Sequence, residues 1–87
     1  MHREQILKIL KRRIAEAKRH NDEAAARFNE VTVDSSAIPF PDGVARIRDA
    51  ARLYRRAMGD LITAQHQMAV FLLDGLVPDD LDKSNLS

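Results

Sequence analysis

From Leu7 to Val31, apolar residues recur at alternating intervals of three and four. Positions 7, 10, 14, 17, 21, 24, 28 and 31 read Leu, Leu, Ile, Ala, Asn, Ala, Phe and Val, and only Asn21 is polar. The same spacing returns from Val44, where positions 44, 47, 51, 54, 58, 61, 65, 68 and 72 read Val, Ile, Ala, Tyr, Met, Leu, Gln, Met and Leu, with Gln65 the exception. Such a period places one apolar stripe along a helix, in the manner of a coiled-coil seam. Strand-like alternation is confined to Val31-Thr32-Val33, read as a fraying helix end because β-branched residues are weak helix formers. Two helices are expected, at about 3–32 and 42–74, with a proline-rich joint over 33–41.

The joint contains Ile38-Pro39-Phe40-Pro41-Asp42-Gly43. Neither proline can donate a backbone hydrogen bond, and each disfavours helical geometry in the residue before it, so helix 1 cannot continue through this segment. Pro41 is acceptable in the first turn of helix 2, where Asp42 sets a carboxylate at the positive end of the helix dipole. Ile38 and Phe40 are large apolar residues in a loop; they are expected either to cover the end of the seam or to form a partner-binding loop. At the far end, Gly75 can adopt the left-handed conformation that closes a helix, and Pro78 prevents its resumption. The domain is expected to span 1–78, followed by an acidic and polar tail at 79–87 carrying Asp79, Asp80 and Asp82.

Two long helices and a short joint make an antiparallel hairpin the simplest all-α fold. Folding at the joint would set Phe28 against Ile47, Ala24 against Ala51, Ile14 against Leu61, and Asn21 against the phenol of Tyr54. One such seam leaves apolar residues over. Ala50, Ala57, Ala64 and Phe71 form a flanking line with a period of seven, Met68 to Leu73 are apolar on every side, and helix 1 begins with Ile6, Leu7, Ile9 and Leu10. A chain of 87 residues has little interior of its own. Homodimerisation into a four-helix bundle is therefore expected, with Ile6, Leu10, Ala57, Ala64, Met68, Phe71, Leu72 and Leu73 at the interface. A different protein or a membrane surface would be another way to cover the same residues.

The near-neutral total charge of +1 hides an uneven layout. Seven basic residues against Glu4 and Glu16 give residues 1–20 a net charge of plus five. Arg46, Arg48, Arg52, Arg55 and Arg56 against Asp49 give residues 46–56 plus four. The C-terminal aspartates are expected to pair with the basic start of helix 1. Arg12, Arg19, Arg48, Arg52 and Arg55 are the alternative contacts for nucleic acid or another polyanion, although a pI near 8.2 with few aromatics is a weak signature of a dedicated binder.

No catalytic residue, metal ligand or cofactor is expected. The chain has no cysteine, which excludes thiolate metal sites and disulfides. It carries no Glu-x-x-His pair, Gly-rich phosphate loop or zinc-protease histidine pair. His20 with Glu16 and Glu23 reads as a surface ion cluster. The start of the chain lacks a signal-peptide pattern, and no apolar run approaches the ~20 residues of a bilayer span, so a cytoplasmic location is expected.

In outline the hairpin resembles the small secreted bacterial hairpin proteins that carry a Trp-x-Gly turn. The chain has no tryptophan, and its turn places Phe40 and Gly43 at a different spacing, so the resemblance covers architecture and no motif. The functional expectation is a non-enzymatic helical interaction module, an adaptor, scaffold or small subunit, acting as a homodimer.

Overall fold

A computed structural model of the chain describes residues 2–35, 37–38 and 41–82. Helix α1 runs Arg3–Ser35, α2 runs Asp42–Asp74, and a single-turn α3 spans Asp79–Asp82. The two long helices pack against each other as a hairpin, in a rod with extents of 55 × 20 × 19 Å.

Local chemistry explains the helix ends. The His2 amide donates to Gln5 Oε1 at 3.3 Å, while the Gln5 and Ile6 amides donate back to the His2 carbonyl, which forms one half of a capping box. At the other end α1 continues through Ser35 instead of fraying at Val31 to Val33. The Thr32 hydroxyl donates to the Phe28 carbonyl at 2.7 Å, so this β-branched residue satisfies its polar group within the helix. Helix α2 ends as its sequence implies. Gly75 adopts φ 70°, and its amide donates to the Phe71 carbonyl at 3.0 Å, the left-handed cap that glycine forms without a Cβ clash.

The hairpin closes tightly at the joint. A Cβ at Gly43 would lie 2.8 Å from the Ser35 carbonyl oxygen and 2.9 Å from that of Ile38, both backbone atoms. Gly43→Ala should therefore force the end of α1 away from the start of α2, lowering the melting temperature without reducing helix content below the transition. An unchanged melting temperature would show that the joint has slack.

The core differs from the expected seam in which stripe of α2 it uses. Along α1 every expected position from Leu7 to Val31 is buried or half-buried. Along α2 the buried residues are Gly43, Ala50, Ala57, Ala64 and Phe71, the line read from sequence as flanking. Val44, Gln65 and Leu72 of the expected seam are exposed. Small side chains let two helices approach closely, because interaxial distance follows the residues at the contact. The register is also displaced. Phe28 meets Tyr54, with ring centroids 5.8 Å apart, instead of Ile47, and the expected bond between Asn21 and Tyr54 does not form, leaving Asn21 Oδ1 buried without a hydrogen-bond partner.

At the open end Ile6, Leu10 and Phe71 form the core cluster, with Leu7, Met68, Val77 and Leu81 packed on it. The Arg3 guanidinium stacks 4.8 Å from the Phe71 ring centroid. The residues following Pro78 thus fold back as a cap. Arg13 holds that cap through an ion pair with Asp80 and also donates to Gln67 Oε1 at 3.2 Å, which realises the expected pairing of tail and basic segment.

Candidate interaction face

Seven-residue periodicity divides the hairpin into two unlike sides. On one side run Arg13, His20, Arg27 and Asp34 of α1 and Arg46, Leu53, Asp60 and Gln67 of α2, each set recurring at the same helical angle. They line two shallow depressions in the groove between the helices. One, of about 490 Å3, is walled by Arg27, Glu30, Asp34, Arg46 and Asp49 over Val31, Ala50 and Leu53. The other includes Arg13, Glu16, His20, Asp60 and Gln67. Both signs of charge are interleaved here, so this polar side focuses no field on an ion of either sign.

The opposite side carries Leu7, Ile14, Asn21 and Phe28 of α1 beside Ile47, Tyr54, Leu61 and Met68 of α2, all half-buried. Next to them on α2 lies the line Val44, Ala51, Met58, Gln65 and Leu72, of which Ala51 and Met58 are half-buried and Val44, Gln65 and Leu72 exposed. Val44 is 41% and Leu72 53% exposed, and Ile62, 65% exposed, extends the apolar surface further around the helix. Helix α2 is therefore apolar beyond the stripes that pack within the chain, and the excess is exposed at Val44 and Leu72. Arg13, which pairs with Asp80 of the cap and donates to Gln67, belongs to the polar side.

The residues expected at a subunit interface separate accordingly. Ile6, Leu10, Ala57, Ala64 and Phe71 are buried within the single chain, and Met68 packs on their cluster. Leu72 and Leu73 are exposed. Reading Ala57, Ala64 and Phe71 as a spare line followed from assigning α1 too narrow a stripe of α2. Of the expected α2 seam, Ile47, Ala51, Tyr54, Met58, Leu61 and Met68 are half-buried, whereas Val44, Gln65 and Leu72 are exposed. In the joint, Ile38 is half-buried and its amide donates to the Ser35 carbonyl at 3.1 Å. Phe40 lies outside the described residues.

The arginines do not form one patch. Arg12 and Arg19 lie on the outer edge of α1, whereas Arg48, Arg52 and Arg55 lie on the outer edge of α2, nearer the joint. Arg19 is 4.0 Å from Glu23 and Arg52 is 3.6 Å from Asp49, exposed pairs of the kind contributing about 0.3–0.5 kcal/mol. Among the described residues no group of three His, Cys, Asp or Glu side chains is placed to hold a metal ion, and no helix is long and apolar enough to cross a membrane. Comparison with protein families, curated proteins and solved structures finds no match.

Proposed function

We propose that this protein is a helical interaction module that acts as a homodimer, joining two hairpins into a four-helix bundle through the apolar side. One observation supports the reading: on α2 the line Val44, Ala51, Met58, Gln65 and Leu72 lies beyond the buried alanine stripe, with Ala51 and Met58 half-buried and Val44 and Leu72 41% and 53% exposed. A helix apolar beyond the stripe its own chain covers is suited to packing against a second neighbour, and exposed apolar residues at both ends of that line favour association. The polar side and the outer arginine rows would remain free on such a dimer for further contacts.

Met58→Glu tests this reading, because a carboxylate there would have to be desolvated at the centre of the interface. Light scattering should show association weakened tenfold or more. Thr63→Glu, an exposed substitution away from the apolar side, serves as the control for added charge and should leave association unchanged. Equal association of the Met58 variant and the unaltered chain would overturn the proposal.

A further inference from the structure

We propose that the outer face of α2 docks on an anionic lipid surface, with its apolar half toward the open end dipping below the headgroups and its arginine row nearer the joint pairing with them. This face points away from α1. It is distinct from the apolar side assigned to self-association, so the proposal goes beyond that reading and does not depend on it.

Helical geometry collects the face from one row of residues. At roughly 100° per residue, Arg48, Arg52 and Arg55, then Gly59, and then Ile62, His66, Ala69 and Leu73 all fall within about 40° of the direction opposite α1. Each of them is exposed. The carboxylates of α2 lie elsewhere: Asp42, Asp49, Asp60 and Asp74 are turned roughly 80° or more from that direction, toward the polar side. There Asp49 and Asp60 line the two depressions. The outer face is thus free of acid from Arg48 to Leu73, a length of roughly 38 Å at 1.5 Å rise per residue.

The two halves of the face differ in chemistry. Toward the joint, Arg52 is 3.6 Å from Asp49 at the edge of the face, whereas Arg48 and Arg55 have no carboxylate within ion-pair distance among the described residues. Toward the open end, Ile62 is 65% and Leu73 82% exposed, and Leu76, just beyond the helix, is 60% exposed. An added Cβ at Gly59 would meet nothing within 4 Å, so no bulk separates the halves.

This combination selects the partner. Nucleic acid phosphates would engage the arginines alone and leave Ile62 and Leu73 in water. Helical peptides are taken up in grooves, and both depressions lie on the polar side, while the outer surface of one helix is convex. A bilayer interface supplies a plane of negative charge with an apolar layer beneath it, and binding there grows with buried apolar area and with attraction to anionic lipids. Each arginine close to an anionic leaflet strengthens binding roughly fivefold, so three amount to on the order of a hundredfold. Only surface contact is required, in keeping with helices too short in apolar sequence to cross a membrane.

Cosedimentation of the full chain with phosphatidylcholine vesicles, with and without phosphatidylserine, tests the proposal. Binding to the anionic vesicles should be at least about tenfold tighter than to phosphatidylcholine alone. Combining Arg48→Ser, Arg52→Ser and Arg55→Ser should weaken it by about tenfold or more. Leu73→Ser, which leaves every charge in place, should weaken it several-fold. All four positions are exposed, so circular dichroism should record unaltered helix content in these variants. Absence of binding to anionic vesicles would overturn the proposal, as would equal binding to both vesicle types. Full affinity in Leu73→Ser, with duplex DNA competing for the same arginines, would make the face a general polyanion site and overturn it too.

Discussion

Phe71→Ala should reduce the stability of the fold by about 3–5 kcal/mol, the usual cost of emptying a buried aromatic site. Phe71 is only 2% exposed and closes the core cluster with Ile6 and Leu10, the latter fully buried. Its loss would leave a cavity between both ends of the described chain and would remove the ring beneath Arg3. Small domains are stable by only about 0.05–0.15 kcal/mol per residue, so one such substitution consumes a large part of the total. Leu73→Ala is the informative comparison. Leu73 lies two residues away and is equally apolar, but it is 82% exposed and its truncation should change stability by under about 0.5 kcal/mol. Urea denaturation followed by far-UV circular dichroism measures both. Equal effects at the two positions would mean that the open end is not packed as described.

Removing residues 76–87 should cost about 2–3 kcal/mol, because Val77 and Leu81 each cover part of the Ile6, Leu10 and Phe71 cluster and a fully buried aliphatic side chain is worth about 1.5–3 kcal/mol. The ion pair that accompanies the cap contributes much less. The Arg13 and Asp80 side chains are 30% and 56% exposed, and such pairs are typically worth 1 kcal/mol or less. Arg13→Ala should therefore lower stability by no more than about 1 kcal/mol, and the truncation by clearly more. If Arg13→Ala proved as damaging as losing the whole cap, electrostatics rather than apolar burial would be holding the tail in place.

Much of this architecture is legible in the sequence, and the failures have identifiable causes. The α1 stripe, the break at the joint and the stop at Gly75 are each set by local chemistry: period, proline and a left-handed glycine. The choice of stripe on α2 is not local. Val44, Met58 and Leu72 give the stronger hydrophobic signal, yet the helices pack through Ala50, Ala57 and Ala64, because close approach rewards small residues and apolar patterning counts alanine weakly. The register depends on where α1 ends. Helix α1 runs to Ser35 instead of ending near Thr32, and Phe28 meets Tyr54 instead of Ile47. The cap was visible only as Leu81 following a proline, and the pairing of Arg13 with Asp80 only as complementary charge at the two ends. The free face became recognisable once the stripe used by α1 was known.

That face can be tested without altering the chain. Sedimentation equilibrium from high to low micromolar concentration, with helix content recorded on the same samples, should give twice the 9.8 kDa mass of one chain, dissociating only on dilution. A mass of one chain with full helix content at every concentration would show that the hairpin is complete by itself and that its apolar side serves something other than a second copy.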